Sequence, residues 1–179
     1  MNILAYILNA LAMMITMISI LIKGKNMKAI LLLNFLSNVT AGISYLVAGT
    51  GINGAVSCLF AGAQGLVNYF FDSKGKAVPK WLIAIYAAGF IALNLYFGGI
   101  NLPCMFAIGA TMCFILSLAQ KSGKQYRFWA LFNNVLWSSY DIFSGAYVGL
   151  ITHGTMLLVT LVGMILHDVK REKTEEKLN

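Results

Sequence analysis

Between Phe128 and Gly145 the chain reads FWALFNNVLWSSYDIFSG, an apolar stretch interrupted by amides, hydroxyls and one carboxylate. At helical spacing Asn134, Trp137 and Asp141 stand at i, i+3 and i+7, on one face. Asn133, Tyr140 and Ser144 form the adjacent stripe. Asp141 is the only acidic residue set within an apolar stretch away from its charged edges. Two readings of it stand side by side. Near the Gly145 turn it can simply reach outside water, where a carboxylate costs little; facing a pathway, it is a group that binds a cation or exchanges a proton. His153 reads either as a histidine bonded to a neighbour or to water, or as a partner of Tyr140 and Asp141 in coupling or gating. His167, at the basic edge, reads as solvated.

Earlier in the chain Asn34, Asn38 and Tyr45 form a second polar stripe, and Ser57, Gln64 and Asn68 a third. An amide offers two donors and one acceptor oxygen, so Asn38 and Asn134 on facing helices could hold one small polar solute. Interhelical hydrogen bonding is the plainer use of the same residues. Trp137 beside amides suits a sugar or heterocyclic ring, or packs without contacting any solute. The candidate substrate-binding residues are therefore Asn38, Asn134, Trp137, Tyr45, Gln64 and Asn68. Ser57, Ala61 and Gly65 recur every four residues, a small-residue stripe for close helix packing. No Walker, HExxH or GxSxG motif occurs. The expectation is binding rather than enzymatic catalysis, with no catalytic residue, no metal ligand and no cofactor.

The elements that hold these residues follow from composition. The 179 residues are 59% hydrophobic and 11% charged, against about 25% charged for a soluble domain. The lipid bilayer is the natural solvent for such a chain. The net charge of +7 falls in short clusters between apolar runs, with no basic helix face, which argues against nucleic acid. Cys58, Cys104 and Cys113 lie in apolar runs without a CxxC pair, so they suggest neither disulfides nor zinc. In the first run, from Ile3 to Ile22, the positive charges Lys23, Lys25 and Lys28 come after the apolar stretch. That order is the reverse of a cleavable signal peptide and favours an outside N-terminus.

The apolar runs predict seven transmembrane helices at about 3–22, 28–48, 52–71, 81–97, 103–120, 127–145 and 148–167. All 13 Lys and Arg fall between Lys23 and Lys28, in the Asp72–Lys80 loop, in the Lys121–Arg127 loop or in the tail. The loops near 49–51, 98–102 and 145–148 carry no charge. Seven spans put every basic segment on one side, which the positive-inside rule makes cytosolic. Shifting the chain by 96 residues (28 onto 124) also superposes Asn38 on Asn134, Gly49 on Gly145 and Asp72 on Asp168. The expected plan is all-α: a first three-helix repeat over 1–72, a cytosolic loop and linker helix 4 over 73–98, a second repeat over 99–169 and a charged tail over 170–179. The repeats run parallel, and the odd helix lets two three-helix units share one orientation.

The stretches KAILLLNFLSNVTAGISYLVAG, QGLVNYFFDSKGKAVPKW and RFWALFNNVLWSSYDIFSGAYVGLITH resemble the YgjV-type bacterial inner-membrane proteins, over most of the chain. That resemblance implies a location rather than an activity. More remotely the chain is similar to SWEET-type sugar transporters, which share the three-plus-one-plus-three plan and use Asn and Trp between repeats, as Asn134 and Trp137 would here. It departs from them in its prolines: only Pro79 and Pro103 occur, both at helix starts. The expected function is alternating-access transport or facilitation of a small polar, sugar- or vitamin-like metabolite across the bacterial inner membrane. The alternative is a receptor or accessory subunit that transports nothing, marked by helix 2 and helix 6 amides bonded to each other with no cavity. The expected partners are the bilayer and a small polar solute, with a homo-oligomer open to it.

Overall fold

The structure is a computed structural model and describes residues 3–22, 26–48, 52–144 and 147–169. The turns expected at Gly49-Thr50-Gly51 and Gly145-Ala146, along with Lys23, Lys25 and the tail from Lys170, lie outside these residues. Among the described residues there are seven α-helices and no strand. They are α1 (Ile3–Leu21), α2 (Met27–Ala48), α3 (Ile52–Ser73), α4 (Lys80–Gly98), α5 (Leu102–Leu118), α6 (Gly123–Ser144) and α7 (Tyr147–Met164). A π-helical turn, Ile165–Val169, continues α7. By length and composition α1, α2 and α4 can each cross a membrane, and α5 is a shorter apolar helix.

Local chemistry sets several ends. Asn101 caps α5 by accepting a hydrogen bond from the Cys104 N–H at 2.8 Å, and Pro103 sits in the first turn, where its missing N–H costs nothing. Pro79 stands at the N-cap of α4. The start of α6 differs from expectation. Ser122 and Gln125 have the spacing of a capping box; the Ser122 hydroxyl accepts from the Gln125 N–H and donates to Gln125 Oε1. The helix therefore begins at Gly123 rather than near 127, and Lys124 and Arg127 belong to it instead of to a loop.

Each helix packs on the next, and α7 returns to α1. Helices α1 and α2 run antiparallel: Ser44 and Ser37 of α2 donate to the Ala5 and Ala12 carbonyls of α1 at 2.7 and 2.8 Å. Ala5, Ala12 and Ser19 recur every seven residues on the inner face of α1, small enough to admit α2 closely. On the opposite face Leu4, Ile7, Leu11, Met14 and Ile18 are exposed. Meanwhile Asn34, Gln64, Asn68, Arg127, Asn134, Asp141 and Thr160 are buried. Apolar outside and polar inside is the arrangement of a chain solvated by lipid. The bundle has two distinct ends. The basic end carries Ile22, Met27, Asp72–Lys80, Lys121–Arg127 and Asp168; the uncharged end carries Gly98–Leu102 and the start of α7.

Candidate functional site

The buried polar groups lie at three levels, and α6 contributes to each. At the basic end Arg127 is wholly buried. Its Nε donates to Asp168 Oδ2 at 3.0 Å and its Nη2 to Oδ1 at 2.6 Å, a bidentate pair. Nη1 donates to the Ile20 and Ile22 carbonyls at 3.3 and 3.0 Å. His167 stands 2.7 Å from the Leu21 carbonyl, so it is engaged with α1 rather than only solvated as expected. Three consecutive carbonyls at the end of α1, orphaned where the helix stops, are thus taken up by a guanidinium and an imidazole. The preceding residue, Tyr126, also crosses the bundle: its hydroxyl accepts from Asn34 Nδ2 at 3.1 Å and lies 3.3 Å from the Ser19 hydroxyl. Together Tyr126 and Arg127 tie α6 to α1 and α2.

These residues were not among the expected site residues, because a charge at a helix start reads as a loop marker. Two signals were present. Arg127 is the only arginine before the tail, in a chain otherwise charged by lysines, and arginine is the better side chain for a buried bidentate pair. The Ser122–Gln125 box also places it inside the helix.

At the middle level Asn134 donates to Thr160 Oγ1 of α7 at 3.4 Å, and Thr160 donates to the Met156 carbonyl. Asn38 donates back to the Asn34 carbonyl of its own helix at 2.8 Å. The two amides are therefore not bonded to each other. The Asn134–Trp137–Asp141 face is covered by α7, since the hairpin folds α7 back along it. On α3, Asn68 donates to the Leu118 carbonyl of α5 at 3.0 Å and accepts from the Tyr86 hydroxyl of α4 at 3.5 Å. One turn away Gln64 is 1% exposed, and neither its amide nitrogen nor its oxygen has a hydrogen-bond partner. A small hollow opens toward Asn68 from the basic end, edged by Asp72, Lys76 and Lys121, with room for about one water molecule.

Toward the uncharged end, the expected coupling residues come together. His153 Nδ1 of α7 is 2.6 Å from Asp141 Oδ2 of α6. The carboxylate side chain is 4% exposed and the imidazole 27%. Trp137 lies flat against the imidazole, ring centroids 5.5 Å apart and planes 12° apart, and meets Tyr140 edge-on. From α2, Tyr45 stands within electrostatic reach of Asp141, Tyr140 and Cys58. The structure thus groups Tyr45, Trp137, Tyr140, Asp141 and His153, and leaves Asn38, Gln64, Asn68 and Asn134 distributed along the interior. Ser144 falls where side chains are not described.

No curated protein and no solved structure matches the chain. Its buried polar interior and lipid-facing apolar surface agree with a family whose model, Imp-YgjV, is described as a bacterial inner membrane protein. That model matches residues 3–171, and the chain belongs to this family.

Proposed function

We propose that this protein carries a small polar solute across the bacterial inner membrane through the interior of its helix ring. The observation that carries this reading is Gln64. A fully buried amide with neither donor nor acceptor used is costly, the more so in a chain surrounded by lipid. A solute or water that pairs with it at one stage of a cycle removes that cost. Asn68 and the hollow toward Asp72 lie on the side from which such a molecule would leave. Arg127, Asp168 and Tyr126 then act as the closed door at the basic end. The matching contact order of α1–α2–α3 and α5–α6–α7 supports a two-repeat plan with α4 as the linker.

In this reading the basic end is cytosolic and the N-terminus outside. Single cysteines at Asn2, Lys74 and Glu175, placed in a background lacking the three native cysteines, test it. Label should reach position 2 from outside, and positions 74 and 175 only from the cytosol. A cytosolic position 2 overturns the orientation.

Uptake and counterflow in proteoliposomes across labelled sugars, nucleosides and vitamins test the function. One class should be transported by the wild type and not by Gln64→Leu. Folded protein that neither binds nor moves any class overturns transport. The rival, a receptor or accessory subunit, is favoured by one observation: the hollow in the bundle has room for only about one water.

A further inference from the structure

The uncharged end brings an aromatic face, a buried carboxylate and an imidazole together. Trp137 offers an aromatic face, and Asp141 a buried carboxylate beside it. Both are occupied by one side chain. In its protonated form His153 is a flat cation, and it lies against the indole while its Nδ1–H donates to the carboxylate. Aromatic face plus carboxylate is the chemistry that recognises organic cations, with the cation within about 6 Å of the ring centre. The imidazole therefore displays what the site accepts. It is also the more exposed partner, 27% against 4% for Asp141, so it can swing aside without uncovering the bundle.

We propose that Trp137 and Asp141 form a binding site for a small planar organic cation, occupied in this structure by His153. An arriving cation takes the imidazolium's place on the Asp141 carboxylate, and His153 releases its proton to the water at the uncharged end. One positive charge replaces another beside the buried carboxylate. This rests on the carrier reading for its purpose only, because binding is measured without transport.

Among the described residues, the titratable groups around the site are few. Tyr140 adjoins it on α6, and Tyr45 of α2 lies within electrostatic reach of Asp141 and of Cys58 on α3. Helices α1 and α5 contain no charged residue.

The test uses the full-length protein in nanodiscs, with Trp81→Phe and Trp129→Phe leaving Trp137 as the reporter. The probe is 1,3-dimethylimidazolium, a permanent cation, and 1-methylpyrazole is its neutral counterpart. The cation should change Trp137 emission saturably and the neutral ring should not. Where His153 is protonated, one proton should appear in solution per cation bound, and the Kd should weaken tenfold for each unit the pH falls. His153→Gln keeps a hydrogen bond to Asp141 without a charge; it should bind the cation with no pH dependence and no proton release. Asp141→Asn should abolish binding. Equal responses to the two probes overturn the proposal, as does saturable cation binding by the wild type with no proton released at any pH tested. Failure of solute uptake with this exchange intact overturns only the carrier.

Discussion

The α2–α3 and α6–α7 hairpins are built on opposite principles. In the first, glycines let the backbones approach. A methyl group added at Gly65 would stand 3.5 Å from the Leu31 carbonyl, and one at Gly62 would stand 3.4 Å from Val39. In the second, three polar pairs cross from helix to helix: Arg127–Asp168, Asn134–Thr160 and Asp141–His153. Positions 96 apart (38 and 134) sharpen the contrast. Under a 96-residue shift of the sequence Leu31 falls on Arg127, Tyr45 on Asp141, Ser57 on His153 and Gln64 on Thr160. Where α6–α7 has a closed amide–hydroxyl pair, α2–α3 has Asn38 turned back on its own helix and Gln64 unpaired. Close packing has one setting, whereas polar pairs can be opened by a proton or a competing ligand. The difference assigns α2–α3 the part of a rigid frame and α6–α7 the part of a responsive one.

The largest effect should come from the deepest charge. Arg127→Met takes from the buried Asp168 its guanidinium partner and frees the Ile20 and Ile22 carbonyls. A loss of about 3–5 kcal/mol is expected, read as a fall in melting temperature in detergent. The double variant Arg127→Met with Asp168→Leu removes both charges and should recover most of that loss. A double variant as unstable as the single would show that capping α1, rather than charge pairing, is what Arg127 supplies.

The frame can be tested by size. Gly65→Ala puts its methyl at ordinary contact distance and should leave stability nearly unchanged. Gly65→Leu must push α2 away and should cost about 1–3 kcal/mol in the same melting assay. Equal tolerance of both would mean that α2–α3 is not held by backbone approach. Gly163 is tighter: an added methyl would meet the Ile20 carbonyl at 3.2 Å, so Gly163→Ala should already be felt.

Much of this architecture was legible in the sequence, because helix length and apolar runs are set by the bilayer rather than by tertiary detail. All seven helices were expected, and among the described residues the basic segments at Lys28, Lys74–Lys80 and Lys121–Arg127 lie at one end, as expected. The site was legible in part. Spacing alone put Trp137 and Asp141 on one face. What that face meets is a tertiary fact, and it meets α7 instead of the other half of the bundle. Arg127 escaped because its burial depends on Asp168, 41 positions away, and on the end of α1.

The middle pair should matter less than the frame. Thr160→Val keeps the shape of the side chain and removes its hydroxyl, leaving the Asn134 amide without its α7 partner. At 3.4 Å that bond is long, and interhelical hydrogen bonds in membrane proteins average about 0.6 kcal/mol. A shift near the limit of a melting assay is expected. A loss above about 2 kcal/mol would mean that the pair belongs to a network larger than these two residues.

The smallest effect on stability is expected at Gln64, and its sign is the opposite of the others. Each loss predicted above comes from breaking or crowding a contact that the bundle makes. Gln64 makes none with its amide, so Gln64→Leu removes a desolvated donor and acceptor while keeping most of the volume. Replacing an unsatisfied polar group by an apolar one of similar shape is close to neutral or stabilising. The melting temperature should therefore hold or rise slightly. Binding and flux of the transported solute should fall together, since the amide is then missing whenever the solute needs it. A marked loss of stability would show that Gln64 is bonded through ordered water as part of the static fold. In that case the interior amides are structural, and the receptor or accessory reading gains what the carrier loses.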